Sequence, residues 1–183
     1  MKTIAFLRAI NVGGHVVKMD RLREIFESLK LENVETFIAS GNVIFDGNRA
    51  QPALEKKIAA ALREALGYEA ETFLRTSAAV KAVVDYKPFA SATAEDKLYV
   101  GFLHALPAAA VQEKLVAFST NDEQFHFHGH ELYWLMRHNF ADSKFAGPQL
   151  EKLLGVPLTM RNITTVRKLA GKYGKPLRAV SLA

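Results

Sequence analysis

Apolar residues recur along this chain with two periods, every second position in some stretches and every third or fourth in others, and their order predicts an architecture. Thr3–Leu7 alternates as a strand. Met19–Lys30 brings Leu22, Ile25, Phe26 and Leu29 to one face of a helix. Val34–Ala39 and Asn42–Asp46 read as strands about the turn residues Ser40 and Gly41. A helix over 51–66 follows, with Pro52 in its first turn, Leu54, Ile58, Ala61, Leu62 and Ala65 turned inward, and Gly67 where a C-cap belongs. Glu71–Arg75 is a fourth strand. The order βαββαβ is that of the ferredoxin-like unit.

A helical pattern at Ser77–Tyr86 and a loop over 87–95 then lead into a second copy of the same order. It consists of a strand over 97–104, a helix over 107–118, strands over 124–128 and 131–137 about Gly129, a helix over 148–154 and a strand over 157–160. A last helix spans 163–173. The expected fold is α+β, with two tandem ferredoxin-like modules and an additional C-terminal helix. The expected division is 1–76 for the first module, 77–96 for a helical connector, and 97–183 for the second module with its basic helix.

Composition narrows the chemistry more than the architecture. At 183 residues, 49% hydrophobic and 23% charged, the chain can bury one good core or two small ones. It has no cysteine, which excludes disulfides, thiol nucleophiles, iron–sulfur clusters and thiolate zinc sites. No apolar run approaches the roughly 18 residues of a membrane span, and no secretory cleavage pattern opens the chain, so a cytoplasmic protein without membrane partners is expected. The net charge of +5 is unevenly placed. Residues 144–183 hold eight Lys and Arg against Glu151 alone, whereas the remaining residues are slightly acidic. A basic end of this kind suits an anionic partner.

Three stretches stand out as motifs: Arg8-Ala9-Ile10-Asn11-Val12-Gly13-Gly14, Ser40-Gly41-Asn42-Val43-Ile44-Phe45, and the run from Thr159 through Arg161, Asn162, Thr164 and Thr165 to Leu169. With Ser143-Lys144-Phe145 as a weaker fourth, they resemble the bacterial family called domain of unknown function 1697 (DUF1697) over nearly the whole chain. The resemblance implies tandem ferredoxin-like modules, in agreement with the element order, and no assigned biochemical role. Ala9 stands where the family commonly has glycine, which implies that position 9 needs no left-handed backbone here. Ile163-Thr164 replace a usual tryptophan and asparagine, removing an aromatic that could stack on a base.

Gly13-Gly14 between a strand and a helix invites comparison with phosphate-cradling loops, though it has neither the Walker A nor the dinucleotide spacing. Arg8 and Lys18 flank it and could hold an anion. Ser40-Gly41-Asn42 reads either as a hairpin turn or as a second polar rim, expected to lie away from Arg8 within one module, so that a joint site would have to form between modules. Arg161, Thr165, Lys168 and Lys172 recur at spacings of four, three and four, which would align them on one helix face with Asn162 as N-cap; such a stripe can track phosphates. His126 and His128 alternate on a strand beside Glu131, without an evident third metal ligand. Phe125, Phe127, Tyr133 and Trp134 are expected to fill the second core rather than stack bases.

No nucleophile elbow and no Ser, His and Asp grouping is legible. The leading expectation is therefore a non-enzymatic module that binds nucleic acid or a phosphorylated small molecule, with no metal and no cofactor. Its candidate residues are Arg8, Asn11, Gly13, Gly14, Lys18, Ser40, Asn42, Lys144, Arg161, Asn162, Thr165 and Lys168. The alternatives are a small-molecule enzyme using Arg8, Asn11 and Ser40 between the modules, and a scaffold that pairs through open sheet edges.

Overall fold

Strands and helices follow the predicted order closely. A computed structural model describes residues 1–10, 16–38, 41–47 and 50–174 of the chain. The first half runs β1 (Lys2–Leu7), α1 (Met19–Ser28), β2 (Glu35–Thr36), β3 (Asn42–Asp46), α2 (Pro52–Leu66) and β4 (Thr72–Thr76), with α3 (Ser77–Asp85) after it. The second half runs β5 (Lys97–Leu103), α4 (Ala109–Val116), β6 (Glu123–His128), β7 (Glu131–Met136), α5 (Gln149–Leu154), β8 (Leu158–Asn162) and α6 (Ile163–Tyr173). A short 3-10 turn, Phe140–Asp142, precedes α5. The fold is α+β, with two four-stranded antiparallel sheets and, among the described residues, six α-helices.

Each sheet has its first strand inside. In one the order is β2-β3-β1-β4 and in the other β6-β7-β5-β8, with every pairing antiparallel. The chain forms two compact units, Met1–Ala82 with Arg167–Ala183, and Val83–Val166.

Burial explains the helices of the first unit. Alternation along β1 and β3 sends Ala5, Leu7, Val43 and Phe45 to one face, where they meet Leu22, Ile25 and Phe26 of α1 and Ile58 and Leu62 of α2. Phe26 and Phe45 lie 6.0 Å apart between ring centroids. Each such side chain contributes on the order of 1.5–3 kcal/mol by leaving water. The second core is built likewise from Leu103, Phe125, Leu132, Trp134 and Met136 of the sheet, Leu115 of α4, and Leu150 and Leu154 of α5. Phe125 and Trp134 belong to it, with rings 5.4 Å apart.

Both units also treat their outer strand alike. Glu55 of α2 accepts the backbone N–H of Leu74 in β4 at 2.8 Å, and Glu151 of α5 accepts that of Leu158 in β8 at 3.0 Å. A helix carboxylate thus satisfies an N–H that an edge strand would leave to water. Both helices end on a left-handed glycine, Gly67 and Gly155.

The bounds of several elements depart from the sequence reading, among them those of α1, which ends at Ser28, α4, which spans Ala109–Val116, β2 and β8. β2 holds two residues instead of six, because Asn33 and Ile38 adopt φ of 50° and 59° and bend the chain out of the extended region on either side. β8 runs two residues further than predicted, through Asn162, while α6 begins at Ile163 as expected. Among the described residues no helix is long and apolar enough to cross a membrane.

Candidate functional site

Two of the sequence motifs meet at one end of the first sheet. Because β1 and β3 are antiparallel neighbours, the C-terminal end of β1 lies against the start of β3, with Phe6 opposite Asn42. The backbone N–H of Leu7 donates to the Gly41 carbonyl at 2.8 Å, and that of Arg8 donates to the Glu71 carbonyl at 2.8 Å. Gly41 has φ of +71°, and a Cβ there would come within 2.9 Å of Ile10 Cβ and 3.2 Å of Leu7 Cβ. Only glycine meets both demands. The expectation that the Arg8 motif and the Ser40-Gly41-Asn42 motif lie apart within a module is therefore corrected: residues 7–10 and 41–42 are packed together inside one unit.

The backbone at this junction is strained. Ala9 has φ of 61°, which overturns the expectation that alanine in place of the family's glycine marks an unstrained position. Ile38, on the other side, has φ of 59° although its β-branched side chain disfavours it. Asn42 is fully buried and serves the turn: its Nδ2 donates to the Phe37 carbonyl at 2.9 Å, while the Phe37 N–H donates to the Asn42 carbonyl at 2.9 Å. Of the candidates on these loops, Asn11, Gly13, Gly14 and Ser40 lie outside the described residues.

The candidate cations occupy different environments. Arg8 is 40% exposed at its side chain, and its guanidinium reaches the Glu71 carboxylate at 3.5 Å. Lys18 is exposed at the start of α1. Lys144 is exposed with its ammonium 3.9 Å above the Phe118 ring. Arg161 is a correction to the helical stripe. It belongs to β8, is buried, and donates to Thr159 Oγ1 at 2.8 Å and to the Met160 carbonyl at 2.9 Å. Burial pushes its pKa down to about 10, because a desolvated guanidinium loses the water that favours its charge. It therefore shares no helix face with Thr165, Lys168 and Lys172.

Asn162 caps α6, its Oδ1 accepting the Thr164 N–H at 2.8 Å. Thr165 is half-buried and Lys168 exposed on that helix. Lys172 donates to the Glu35 carboxylate at 2.9 Å, beside the Tyr173 hydroxyl, which donates to the same oxygen at 2.8 Å. These hydrogen bonds hold the Glu35 carboxyl below its ordinary range, that of Lys172 contributing most. Part of the C-terminal positive charge is thus engaged in fastening the last helix to β2.

Two further acids were not singled out by sequence. One is Glu71, whose partner Arg8 is 63 residues away. The other is Glu123, nearly buried, whose Oε1 accepts Trp134 Nε1–H at 2.9 Å and the Ser143 hydroxyl at 2.5 Å. Ser143 Oγ in turn accepts the Phe145 N–H at 3.1 Å, so the Ser143-Lys144-Phe145 motif is a loop anchor. No spacing rule links 123, 134 and 143; the pairing of β6 with β7 and the loop after the 3-10 turn bring them together.

The histidines of β6 face an aromatic ring. Tyr86 Oη and His126 Nε2 are 2.7 Å apart, and the His128 ring stacks on Tyr86 at 3.8 Å. Burial, then the charge of His128, lowers the His126 pKa. Among the described residues no three His, Cys, Asp or Glu side chains are grouped as a metal would require.

Comparison with known proteins adds fold and family. No curated protein matches the chain. Among solved structures it is similar to the conserved bacterial protein SP0830 from Streptococcus pneumoniae, at 24% identity and a TM-score of 0.74, over 95% of this chain and 98% of that one. At that identity the likeness speaks for the fold alone. The family model described as "Protein of unknown function (DUF1697)" matches residues 1–133, which takes in two of the three motifs read from the sequence, and the chain belongs to that family.

Proposed function

We propose that this protein is a non-enzymatic binding module for an anionic partner, a nucleic acid or a phosphorylated small molecule met in the cytoplasm, and that the motif junction of the first sheet is its site. In this reading β1 to β4 and β5 to β8 are two ferredoxin-like modules, which the shared strand order and the matching Glu55 and Glu151 bonds support. The observation that carries the reading is convergence. Ala9, Ile38 and Gly41, all left-handed, surround the end of β1 where the half-exposed side chain of Arg8 begins the first motif. For non-glycine residues such as Ala9 and Ile38, backbone held in this sparsely populated conformation costs about 1–3 kcal/mol each, and such residues cluster at binding and catalytic sites. Arg8 supplies the charge and Lys18, exposed at the start of α1, a second candidate cation.

The test is fluorescence anisotropy of labelled single-stranded and duplex RNA and DNA at about 50 and 200 mM salt. Binding that weakens steeply with salt and falls at least about fivefold in Arg8→Gln is expected. Absence of binding at the lower salt, or an Arg8→Gln variant that binds as the parent does, would refute the reading.

A further inference from the structure

We infer that Glu71 is a built-in competitor for the anion site at Arg8, a carboxylate of the protein's own that an incoming acid group must displace; this rests on the reading of the junction as an anion site. Three observations carry it. The backbone bond from Arg8 N–H to the Glu71 carbonyl, 2.8 Å, sets the two side chains next to one another whatever their rotamers do. The ion pair itself is loose, a single contact at 3.5 Å between side chains 40% and 36% exposed. And among the described residues Arg8 is the partner of the Glu71 carboxylate.

The fastening pairs of the same unit are made differently. Lys2 meets Asp46 at 2.9 Å with Asn33 bonded to the same carboxylate, and Lys172 meets Glu35 at 2.9 Å with the Tyr173 hydroxyl on the same oxygen. Such carboxylates are held by several donors, and the Glu71 carboxylate is not. A half-exposed pair of this kind is weak, so the tethered carboxylate meets the guanidinium without holding it firmly. Exchange of one carboxylate for a ligand's phosphate or carboxylate keeps the guanidinium paired throughout. Glu71 then sets how much affinity an anion must bring, and it screens out weakly held monoanions in the surrounding solution.

The experiment is a double-mutant cycle read by anisotropy of a fluorescein-labelled single-stranded hexauridylate. Glu71→Gln keeps the shape of the side chain and removes its charge. It should bind the probe about two- to fivefold more tightly than the parent, the range set by the weakness of an exposed ion pair. Arg8→Gln should bind more weakly, and adding Glu71→Gln to it should then bring little further change. An equal gain from Glu71→Gln with and without Arg8 would mean mere loss of negative charge and would overturn the inference. So would no gain at all in Glu71→Gln while Arg8→Gln still loses affinity, an outcome that leaves the anion site standing. If Arg8→Gln has no effect, the site and the competitor fall together. Glu69→Gln, which removes an exposed acid paired with Arg63 and not with Arg8, serves as the control and should leave binding unchanged.

Discussion

At the end of β1 the Leu7 N–H reaches across to the carbonyl of Gly41, and at the end of β5 the Leu103 N–H reaches across to the carbonyl of His130, at 2.8 and 3.0 Å. The position in the fold is the same, but the connection that supplies the acceptor is not. Between β6 and β7 two residues suffice, and Gly129, at φ of 60°, takes the left-handed conformation cheaply. Between β2 and β3 the chain passes through Ile38 and Gly41, and beyond β1 through Ala9, all three left-handed. Among the described residues every non-glycine with positive φ lies in the first half of the chain. The second unit puts its side-chain effort elsewhere, into the buried carboxylate of Glu123 that gathers Trp134 and Ser143. Equal topology therefore does not imply equal strain, and the strained copy is the one whose loops carry two of the sequence motifs and the half-exposed Arg8.

Removing the anchor of the second unit should have the largest effect. Glu123→Ala leaves the Trp134 indole N–H and the Ser143 hydroxyl without their acceptor, at a cost of about 2–4 kcal/mol. Trp134 is the single tryptophan, so its emission during urea unfolding reports that unit directly. A midpoint unchanged from the parent would show that the anchor is dispensable.

A matched pair of glycine substitutions compares the two connections themselves. In Gly41→Ala the new methyl meets Ile10 Cβ at 2.9 Å on a left-handed backbone, and a loss of roughly 2–3 kcal/mol is expected. In Gly129→Ala it meets only the flexible end of Glu131 at 3.0 Å, and about 1 kcal/mol should be lost. Thermal unfolding followed by circular dichroism distinguishes them. Equal losses would mean that the close approach of Gly41 to Ile10 adds nothing.

The smallest effect has the opposite sign. Ala9→Gly should stabilise the protein by about 0.5–1 kcal/mol, since glycine adopts φ near 61° without the Cβ clash, less what it adds to the entropy of the unfolded chain. A destabilised Ala9→Gly variant would show that the Ala9 methyl contributes packing worth more than the strain.

Much of this architecture is legible in the order of residues. Period-two and period-three-to-four patterns mark strands and helices because burial against a core selects one face of each, and Gly67 and Asn162 end and begin helices because caps are local chemistry. The departures of β2 and β8 also have local causes. Left-handed Asn33 and Ile38 shorten β2, and β8 runs on into Arg161, whose charge suggests a helix surface but which pairs with Val100 across the sheet.

The candidate site was less legible, since its parts are brought together by pairing between strands distant in sequence. Arg8, Gly41 and Glu71 are named or missed one at a time by a reader of the chain; their adjacency follows from β3 and β4 lying on either side of β1. Element types, the two repeats of strand and helix order, and the absence of thiol chemistry follow from the order of residues alone, because each of these depends on residues close together or on residue type. That Arg161 is a buried strand residue, that Lys172 and Tyr173 are bound to Glu35, and that two motifs form one strained junction emerge from the folded chain, because each of these depends on which distant residues pack together and which are left in water.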